Sequence, residues 1–334
     1  MRQTVILALW ACCLPMVHTH TFLALGLFSG GFLLARLIMD RDDRKGVCLR
    51  ALCYLGIVVV LALPQVLSTA VEQTIEGGSL RFQFNWVNNS GGRGMIDGYF
   101  WFWIKNAGLP FILMICALLE CRRRGYADIA LGMAAVFIVA ETILFQPNEY
   151  DNNKLFYIWY MFAAILAADY GSVIMQRLAG LRGRYVLCAL FMFVSMFSGA
   201  LSIAREAVSG YQLFSATAVE AGQWISENTE KDDVFMTGQQ HINPVCSLAG
   251  RQIICGSDLY VFFHGLDYRA QAWDCQRFYE YPAENARLLD EYGVDYIYVS
   301  DYERAEFDVD LAYIDEHYDL VYMNPDVKIY EVSE

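Results

Sequence analysis

Residues 185–228 read YVLCALFMFVSMFSGALSIAREAVSGYQLFSATAVEAGQWISEN and contain the change that decides the fold. The stretch is almost wholly apolar up to Ala204, and charged residues recur beyond it. The change divides the whole chain: residues 1–204 hold 16 Lys and Arg against 12 Asp and Glu, whereas residues 205–334 hold 8 against 25. The net charge of −13 thus combines +4 before the break with −17 after it. We predict two domains, residues 1–204 in a membrane and residues 205–334 in water.

Seven apolar segments lie before the break, and the hydrophobic content of 56% is high for a soluble protein. A spanning helix needs about 20 mostly apolar residues, so we predict an α-helical polytopic membrane bundle of about seven spans. The first segment is short and carries Pro15, and a signal peptide is its alternative; no small-residue cleavage site follows it, which favours retention. The predicted spans are Val5–Val17, Phe22–Ile38, Ala51–Leu67, Ile104–Leu119, Ile129–Phe145, Leu155–Ile174 and Tyr185–Ile203.

Basic residues are concentrated in alternate loops. The segments 39–50, 121–125 and 175–184 carry four, three and three of them. Because short cytoplasmic loops are rich in Lys and Arg, we predict a cytoplasmic amino terminus, a multi-pass protein of the cytoplasmic membrane, and a carboxyl-terminal domain outside. We interpret these basic loops as topological anchors; binding of lipid or nucleic acid is the alternative.

The acidic part alternates between helical and strand patterns, which favours a small extracytoplasmic α/β domain with a partly parallel sheet. Gly293 predicts the end of one helix, since glycine adopts the left-handed cap conformation readily. The predicted helices are 218–228, 284–292 and 311–317; the predicted strands are 234–237, 251–255, 294–300, 320–322 and 327–332.

Seven of the ten cysteines lie in or beside the predicted spans, where Cys acts as a small apolar residue. Cys246, Cys255 and Cys275 remain in the acidic part. Three thiols cannot all pair within one chain, and a Cys246–Cys255 bridge is permitted but not required.

The loop Gln146–Lys154 (QPNEYDNNK) is the richest polar segment between two predicted spans. Lys154 directly precedes a span, where an ammonium can bind a lipid phosphate as a point charge. Asp151 and Glu149 are catalytic candidates, and their oxygens suit a divalent cation; Asn152 is a binding candidate. The alternative is an ordinary polar turn with a snorkelling lysine.

Further candidates lie at the same predicted membrane surface. His18 and His20 can contact a phosphate or share a metal, although no third zinc ligand accompanies them. Lys105 and Asn106 begin the fourth span beside an aromatic belt. Glu141 lies inside the fifth span, and a carboxylate in that setting is a candidate for function; access to solvent, about one turn from the predicted outer surface, is the alternative.

In the acidic domain, the segment 238–251 follows a predicted strand, and ligands bind at strand ends of α/β sheets. It offers Gln239, His241, Asn243 and Arg251 as binding candidates. His264 follows two phenylalanines in an apolar tip, Phe262–Gly265, that can meet a bilayer or close on the membrane part. A structural loop is the alternative for each of these residues.

Several function classes lack their signatures. The sequence contains no G-x-G-x-x-G, no Walker loop and no G-x-S-x-G. The acidic domain argues against nucleic acid as a partner. No inverted repeat of the kind used by transporters is visible.

Four features of the chain carry a resemblance to a known family: the order of basic turns, the loop QPNEYDNNK before a span, and the strings TGQQHINPVCSLAGR (237–251) and VDYIYVSDYER (294–304). In these features the chain resembles the carboxyl-terminal half of bacterial multi-pass GT-C-type glycosyltransferases, including relatives of protein O-mannosyltransferases. The resemblance implies transfer of a sugar from a polyprenyl-phosphate carrier on the outer face of the membrane. Such enzymes carry a catalytic acidic residue in the first outer loop, whereas His18–Thr21 holds no carboxylate here. The chain is then either part of a longer protein or a short homologue without the usual base.

We therefore expect a membrane glycosyltransferase-like protein whose partners are membrane lipid and a polyprenyl-phosphate-linked sugar. An inverting transfer needs a carboxylate for the acceptor proton and positive charge or a metal for the leaving phosphate. Lys154 and Lys105 fit the second need. The alternative is a non-catalytic scaffold or sensor whose outer domain binds a ligand or partner.

Overall fold

The computed structural model describes residues 1–70, 80–89, 94–145, 148–264 and 266–333, without the side chains of residues 69 and 70. The chain forms two compact units, and the boundary between them lies between Ser209 and Gly210. We call the part up to Ser209 the helical unit and the part from Gly210 the α/β unit. Each is described by itself.

In its described residues, the helical unit consists of helices and two short strands, connected by loops and two 3₁₀ turns. The helices are α1 (Arg2–Cys12), α2 (Leu14–Val17), α3 (Thr19–Met39), α4 (Arg44–Ala70), α5 (Tyr99–Leu119), α6 (Cys121–Arg124), α7 (Ala127–Thr142), α8 (Asn153–Arg177) and α9 (Arg184–Val208). The 3₁₀ turns are Trp86–Asn88 and Glu149–Asn152, and the strands β1 (Arg81–Phe82) and β2 (Ile143–Leu144) pair antiparallel.

Five segments among the described residues are helical and by length and composition able to cross a membrane, which identifies a membrane protein. They are Thr19–Met39, Arg44–Ser68, Tyr99–Leu119, Glu149–Arg177 and Arg184–Val208. The other two predicted spans are shorter helices. Arg2–Val17 is interrupted at Cys13, and α7 has 16 residues, about 24 Å at the usual rise.

The predicted fifth span continues to Phe145, but α7 ends at Thr142. Ile143 and Leu144 are extended because they pair with β1. The sequence missed this ending because β1 lies about 60 residues earlier in the chain.

Helices α3 and α7 pack closely because glycines face each other across the contact. A Cβ on Gly31 would lie 2.6 Å from the Leu131 carbonyl oxygen, and one on Gly132 would lie 2.8 Å from the Phe28 ring. Small residues allow membrane helices to approach at backbone distance. The aromatic core next to this contact lies between α5, α7 and α8, around Trp103 and Trp159.

Helix α5 is broken near its middle, which the sequence reading did not predict. Gly108 has φ +67° and ψ −154°, and Pro110 lacks an N–H to donate. The break leaves carbonyl groups without helical partners, and the Tyr160 hydroxyl donates to the Ala107 carbonyl at 3.3 Å. Polar groups freed in an apolar bundle need such partners.

The two ends of the helical unit differ in character. At one end Arg36 lies 2.7 Å from Asp128, and Arg177 lies 3.5 Å from Glu120. We call this the arginine end. The opposite end, which we call the polar end, holds the starts of α3, α5 and α8 and the paired strands β1 and β2. Which end faces the cytoplasm stays a prediction.

The α/β unit contains a five-stranded sheet in the order β4-β3-β5-β7-β6, with β4, β3 and β5 parallel. Its strands are β3 (Val234–Met236), β4 (Gln252–Ile253), β5 (Tyr296–Val299), β6 (Asp319–Met323) and β7 (Lys328–Glu331). Its helices are α10 (Ala216–Asn228), α11 (Pro244–Ser247), α12 (Asp258–Phe263), α13 (Arg269–Glu280), α14 (Pro282–Asn285), α15 (Arg287–Tyr292), α16 (Asp301–Glu306) and α17 (Leu311–His317).

Every predicted strand of this unit is present, and Gly293 ends α15 with φ +61°. The predicted helix 284–292 is interrupted at Ala286, and α11, α12, α13 and α16 were not predicted. The predicted apolar tip forms α12 up to Phe263, while Gly265 lies outside the described residues. A mixed sheet with helices confirms the α/β class for the unit.

No disulfide joins Cys246 to Cys255: all ten cysteines are free. Cys246 is exposed on α11, whereas Cys255 is buried. Burial raises the pKa of the Cys255 thiol to about 11, so the thiol stays protonated at neutral pH.

Candidate functional site at the polar end

Three predicted site residues come together at the polar end. The Lys154 ammonium lies 2.7 Å from Asp151 Oδ1. Both charges act electrostatically on the His20 imidazole at the start of α3. We call His20, Asp151 and Lys154 the polar-end cluster. It joins two segments that are about 130 residues apart in sequence and that were predicted as separate candidates.

The 3₁₀ turn before α8 positions Asp151 and Lys154. The Asn148 side chain accepts the Tyr150 N–H at 3.2 Å and so caps the turn. Asn152 is buried, and its amide donates to the Ile143 carbonyl at 2.6 Å and the Ala140 carbonyl at 3.3 Å. Asn152 thus fixes the turn to the end of α7, and these bonds occupy the amide that was predicted to bind substrate. Gln146 and Pro147 of the predicted loop lie outside the described residues.

The start of α3 presents His20. His18 caps this helix, because its Nδ1 accepts the Thr21 N–H at 3.2 Å and lies 2.7 Å from the Thr21 hydroxyl. The His18 ring is exposed, and its centroid lies 5.8 Å from that of His20. His20 is buried, with 8% of its surface exposed. His18 therefore accounts for the local fold, whereas His20 is the buried histidine on which the charges of Asp151 and Lys154 act.

The remaining candidates of the helical unit have other partners. Glu149 pairs with Arg81 at 3.4 Å. Lys105 lies 2.6 Å from Asp97, and the Asn106 amide donates to the Phe102 carbonyl one turn earlier at 2.8 Å. Within the described part of the chain, no hydrogen bond or ion pair connects Lys105 to the polar-end cluster.

Glu141 is the buried carboxylate of this end. Only 2% of its surface is exposed, and neither carboxylate oxygen makes a hydrogen bond of ordinary geometry with a described residue. The Tyr99 hydroxyl lies near enough to interact with it. Tyr99 also lines an apolar cavity of about 250 Å³ together with Trp103. A carboxyl group held in this way is uncommon in a membrane bundle and marks the polar end as more than a loop region.

Metal ligands are not grouped around these residues. In residues 1–70, 80–89, 94–145, 148–264 and 266–333, no three His, Cys, Asp or Glu side chains are close enough to hold an ion. A divalent cation at Asp151 would therefore need further oxygens from water or from a substrate phosphate.

In the α/β unit, Asn243 and Arg251 hold a loop in place. The buried Asn243 amide donates to the Thr237 hydroxyl at 3.0 Å, and its oxygen accepts the Val245 N–H at 2.9 Å. Arg251 donates to the carbonyls of Ala249, Ser226 and Thr229 and to the Thr229 hydroxyl, at 2.7 to 3.1 Å. Four of its five N–H groups are thus used at the end of α10.

His241 and His264 both contact Tyr260 of α12. The His241 ring stacks on the Tyr260 ring with centroids 4.4 Å apart, and His264 Nδ1 lies 2.7 Å from the Tyr260 carbonyl oxygen. His241 Nδ1 also lies 3.4 Å from the Ser257 hydroxyl. These contacts explain how α12 is held beside the loop after β3.

A buried carboxylate that was not predicted joins β3 to β5. Glu303 of α16 accepts the Gly238 N–H at 2.9 Å, the Ser300 N–H at 2.8 Å and the Ser300 hydroxyl at 2.5 Å. Burial raises the pKa of Glu303, although these hydrogen bonds oppose the shift. Ser300 followed three residues later by Glu303 is a capping-box pattern, so the sequence held a signal for this helix.

No known family model matches the sequence, and no curated protein matches it. Similar solved structures include an oligosaccharyltransferase of Archaeoglobus fulgidus tethered by a disulfide bond to an acceptor peptide with the NVT sequon. It is 14% identical with a TM-score of 0.41, and the match covers 85% of this chain and 38% of that chain. Another is the archaeal oligosaccharyltransferase AglB from Archaeoglobus fulgidus in complex with an inhibitory peptide and a dolichol-phosphate. It is also 14% identical with a TM-score of 0.41, and the match covers 94% and 42%.

This chain therefore spans about two fifths of the length of these two neighbours. Neither is described as an O-mannosyltransferase, so these neighbours do not support the resemblance to relatives of protein O-mannosyltransferases. A likeness of this size does not decide an activity.

Proposed function

We propose that this chain is a membrane glycosyltransferase-like protein of the GT-C type that takes a sugar from a polyprenyl-phosphate carrier on the outer face of the cytoplasmic membrane. The observation that carries the proposal is the polar-end cluster. It pairs an ammonium with a carboxylate at the start of an apolar helix long enough to span a membrane, and both charges act electrostatically on an imidazole at the start of α3.

The cluster suits a lipid phosphate in position and charge. Lys154 is the second residue of α8, so its ammonium lies at the level where lipid headgroups meet an apolar helix. A phosphate near Lys154 can also accept a hydrogen bond from His20. The carrier's hydrocarbon chain would then lie along the apolar surface of the bundle, where Tyr157, Met161 and Ile165 of α8 and most large side chains of α9 are exposed.

The transfer needs one base and one stabilised leaving group. In the proposed step the acceptor hydroxyl oxygen bonds to the anomeric carbon, and its proton passes to the Asp151 carboxylate. The bond from the anomeric carbon to the phosphate oxygen breaks, and the polyprenyl phosphate leaves with the electron pair. Lys154 stabilises the charge on that phosphate. Asp151 is preferred to Glu149 because Glu149 pairs with Arg81 outside the cluster.

A binding function without transfer is the second candidate. It is favoured by the first turn of the polar end, where residues 18–21 contain no carboxylate. In this case the cluster would hold a lipid phosphate, and the α/β unit would bind a ligand or partner.

Transfer from a labelled polyprenyl-phosphate sugar, measured with the full chain in proteoliposomes, separates the two candidates. We expect transfer by the unaltered chain, its loss in Asp151→Asn, and its loss with weaker carrier binding in Lys154→Ala. Lys45→Ala is the control, since Lys45 is exposed near the arginine end. Carrier binding without transfer in the unaltered chain would support the second candidate, and transfer unchanged in both cluster variants would contradict the first.

A further inference from the structure

A hollow of about 290 Å³ opens at the carboxyl ends of the parallel strands β3 and β5. Gln239 reaches it from the segment after β3, and Tyr302 from the helix after β5. This edge is where α/β sheets bind ligands. The other lining residues are Asp258, Tyr268, Arg269, Ala272, Trp273, Gln276, Glu306 and Phe307.

Four aromatic rings line the hollow, and one of them is unusually exposed. Trp273 has 58% of its surface exposed although it lies within α13. The face of α13 that packs on the sheet is made by other residues, namely Cys275, Phe278 and Tyr279, all fully buried. Packing within the α/β unit therefore does not explain why a tryptophan occupies this exposed position. An exposed indole beside a polar hollow offers a flat apolar surface for a ligand.

Two amides in the hollow are held in fixed orientations. Gln239 Nε2 donates to the Gly256 carbonyl at 3.1 Å, and Gln276 Nε2 donates to Glu280 Oε1 at 2.8 Å. Within the described residues, neither amide oxygen accepts a hydrogen bond. Both oxygens are thus acceptors that a ligand can use without reorganising the site.

The charges of the hollow disfavour anions. Asp258 and Glu306 contribute two carboxylates, and Asp258 is close enough to act electrostatically on the Tyr302 hydroxyl. The cation of the lining, Arg269, is held by Asp267 through two contacts of 3.0 and 3.1 Å. A phosphate or carboxylate ligand would be repelled here, whereas a ligand rich in hydroxyl donors would find acceptors.

We propose that this hollow binds a neutral hexopyranose unit of a glycan. The apolar C–H face of the ring stacks on Trp273, and its hydroxyls donate to Gln239, Gln276 and the two carboxylates. A small cation would use the same carboxylates. A pyranose ring, with several hydroxyls, would also use the two fixed amide oxygens more fully than a cation would. The proposal does not depend on the glycosyl transfer proposed above, because it concerns the α/β unit alone.

The test is saturation-transfer NMR with the full chain in detergent and a panel of methyl hexopyranosides, with tetramethylammonium as the cationic probe. We expect at least one pyranoside to bind with a Kd of about 1 mM and Trp273→Ala to weaken it by about tenfold or more. Tyr281→Ala is the matched control, since Tyr281 is 59% exposed at the end of the same helix and does not line the hollow.

A third variant separates the two ligand classes. Glu306→Gln keeps an acceptor oxygen but removes a charge, so pyranoside binding should change by less than about threefold. Amide exchange across α13 checks that Trp273→Ala remains folded. Failure of every pyranoside to bind, equal binding by Trp273→Ala, or binding of tetramethylammonium alone with its loss in Glu306→Gln would each overturn the proposal.

Discussion

The ammonium of Lys154 lies 2.7 Å from the carboxylate of Asp151, three residues earlier in the chain, and both side chains are partly exposed. Ion pairs of this kind contribute at most about 1 kcal/mol to stability. The pair is therefore not needed to hold the helical unit together.

This difference between stability and binding can be measured. Lys154→Met keeps most of the apolar stem and removes the charge. We expect the thermal unfolding midpoint to stay nearly unchanged, and polyprenyl phosphate binding by native mass spectrometry to weaken by about tenfold or more. Lys105→Met is the matched control, because Lys105 has its own partner in Asp97. A large loss of stability in Lys154→Met would instead assign the pair a structural role.

The close approach of α3 and α7 predicts that alanine substitutions at the adjacent residues Gly30 and Gly31 have different effects on stability. A Cβ on Gly31 would meet the Leu131 carbonyl oxygen at 2.6 Å, whereas one on Gly30 has nothing within 4 Å. Gly31→Ala should therefore separate the two helices and lower the unfolding temperature in detergent. Gly30→Ala should leave it unchanged or raise it, since alanine favours helix by about 1 kcal/mol over glycine. Equal behaviour of the two variants would refute the packing described here.

The raised pKa of Glu303 predicts how the stability of the α/β unit depends on pH. Because the folded pKa exceeds the unfolded value, of about 4.3, unfolding releases a proton between the two values. The contribution of Glu303 to the free energy of unfolding therefore falls as pH rises from about 4 to the folded pKa. Glu303→Gln removes this dependence. The opening free energy of β3 and β5 can be measured by hydrogen exchange corrected for intrinsic rates. The value for wild type minus the value for the variant should decrease as pH rises through this range. An increase would contradict the prediction.

Arg251 was predicted to bind substrate, and its contacts now predict a structural effect. Arg251→Met removes four hydrogen bonds at the end of α10. It should lower the free energy of local opening there by about 1–3 kcal/mol and so speed amide exchange. Arg251→Lys should restore little, since an ammonium lacks the planar set of donors. Carrier binding should be unchanged in both. Normal exchange together with lost binding would reverse this assignment.

The sequence predicted well what depends on neighbouring residues. The apolar segments, the strands of the α/β unit and the end of α15 at Gly293 all rest on local pattern. Lys154 and Asp151 could be named as candidates because they lie beside a span. Glu303 shows a signal that was present and not used, a capping box after a strand.

What the sequence could not predict depends on distant pairings. The early end of α7 follows from β1, and the electrostatic influence of Asp151 and Lys154 on His20 follows from how α3 packs near α8. The break in α5 had a local signal, Gly108 two residues before Pro110, but a proline alone does not fix a left-handed conformation at the glycine. Trp273 was not a candidate because α13 was not predicted, and only the fold shows that Cys275, Phe278 and Tyr279 form the buried face of that helix.

The most direct test of the account is a cryo-electron microscopy structure of the full chain with undecaprenyl monophosphate in lipid nanodiscs. The account predicts phosphate density within hydrogen-bonding distance of Lys154 Nζ and next to His20, with the hydrocarbon chain running along the apolar helices. Phosphate density at the arginine end, or a bound carrier that leaves the Lys154–Asp151 pair untouched, would contradict it.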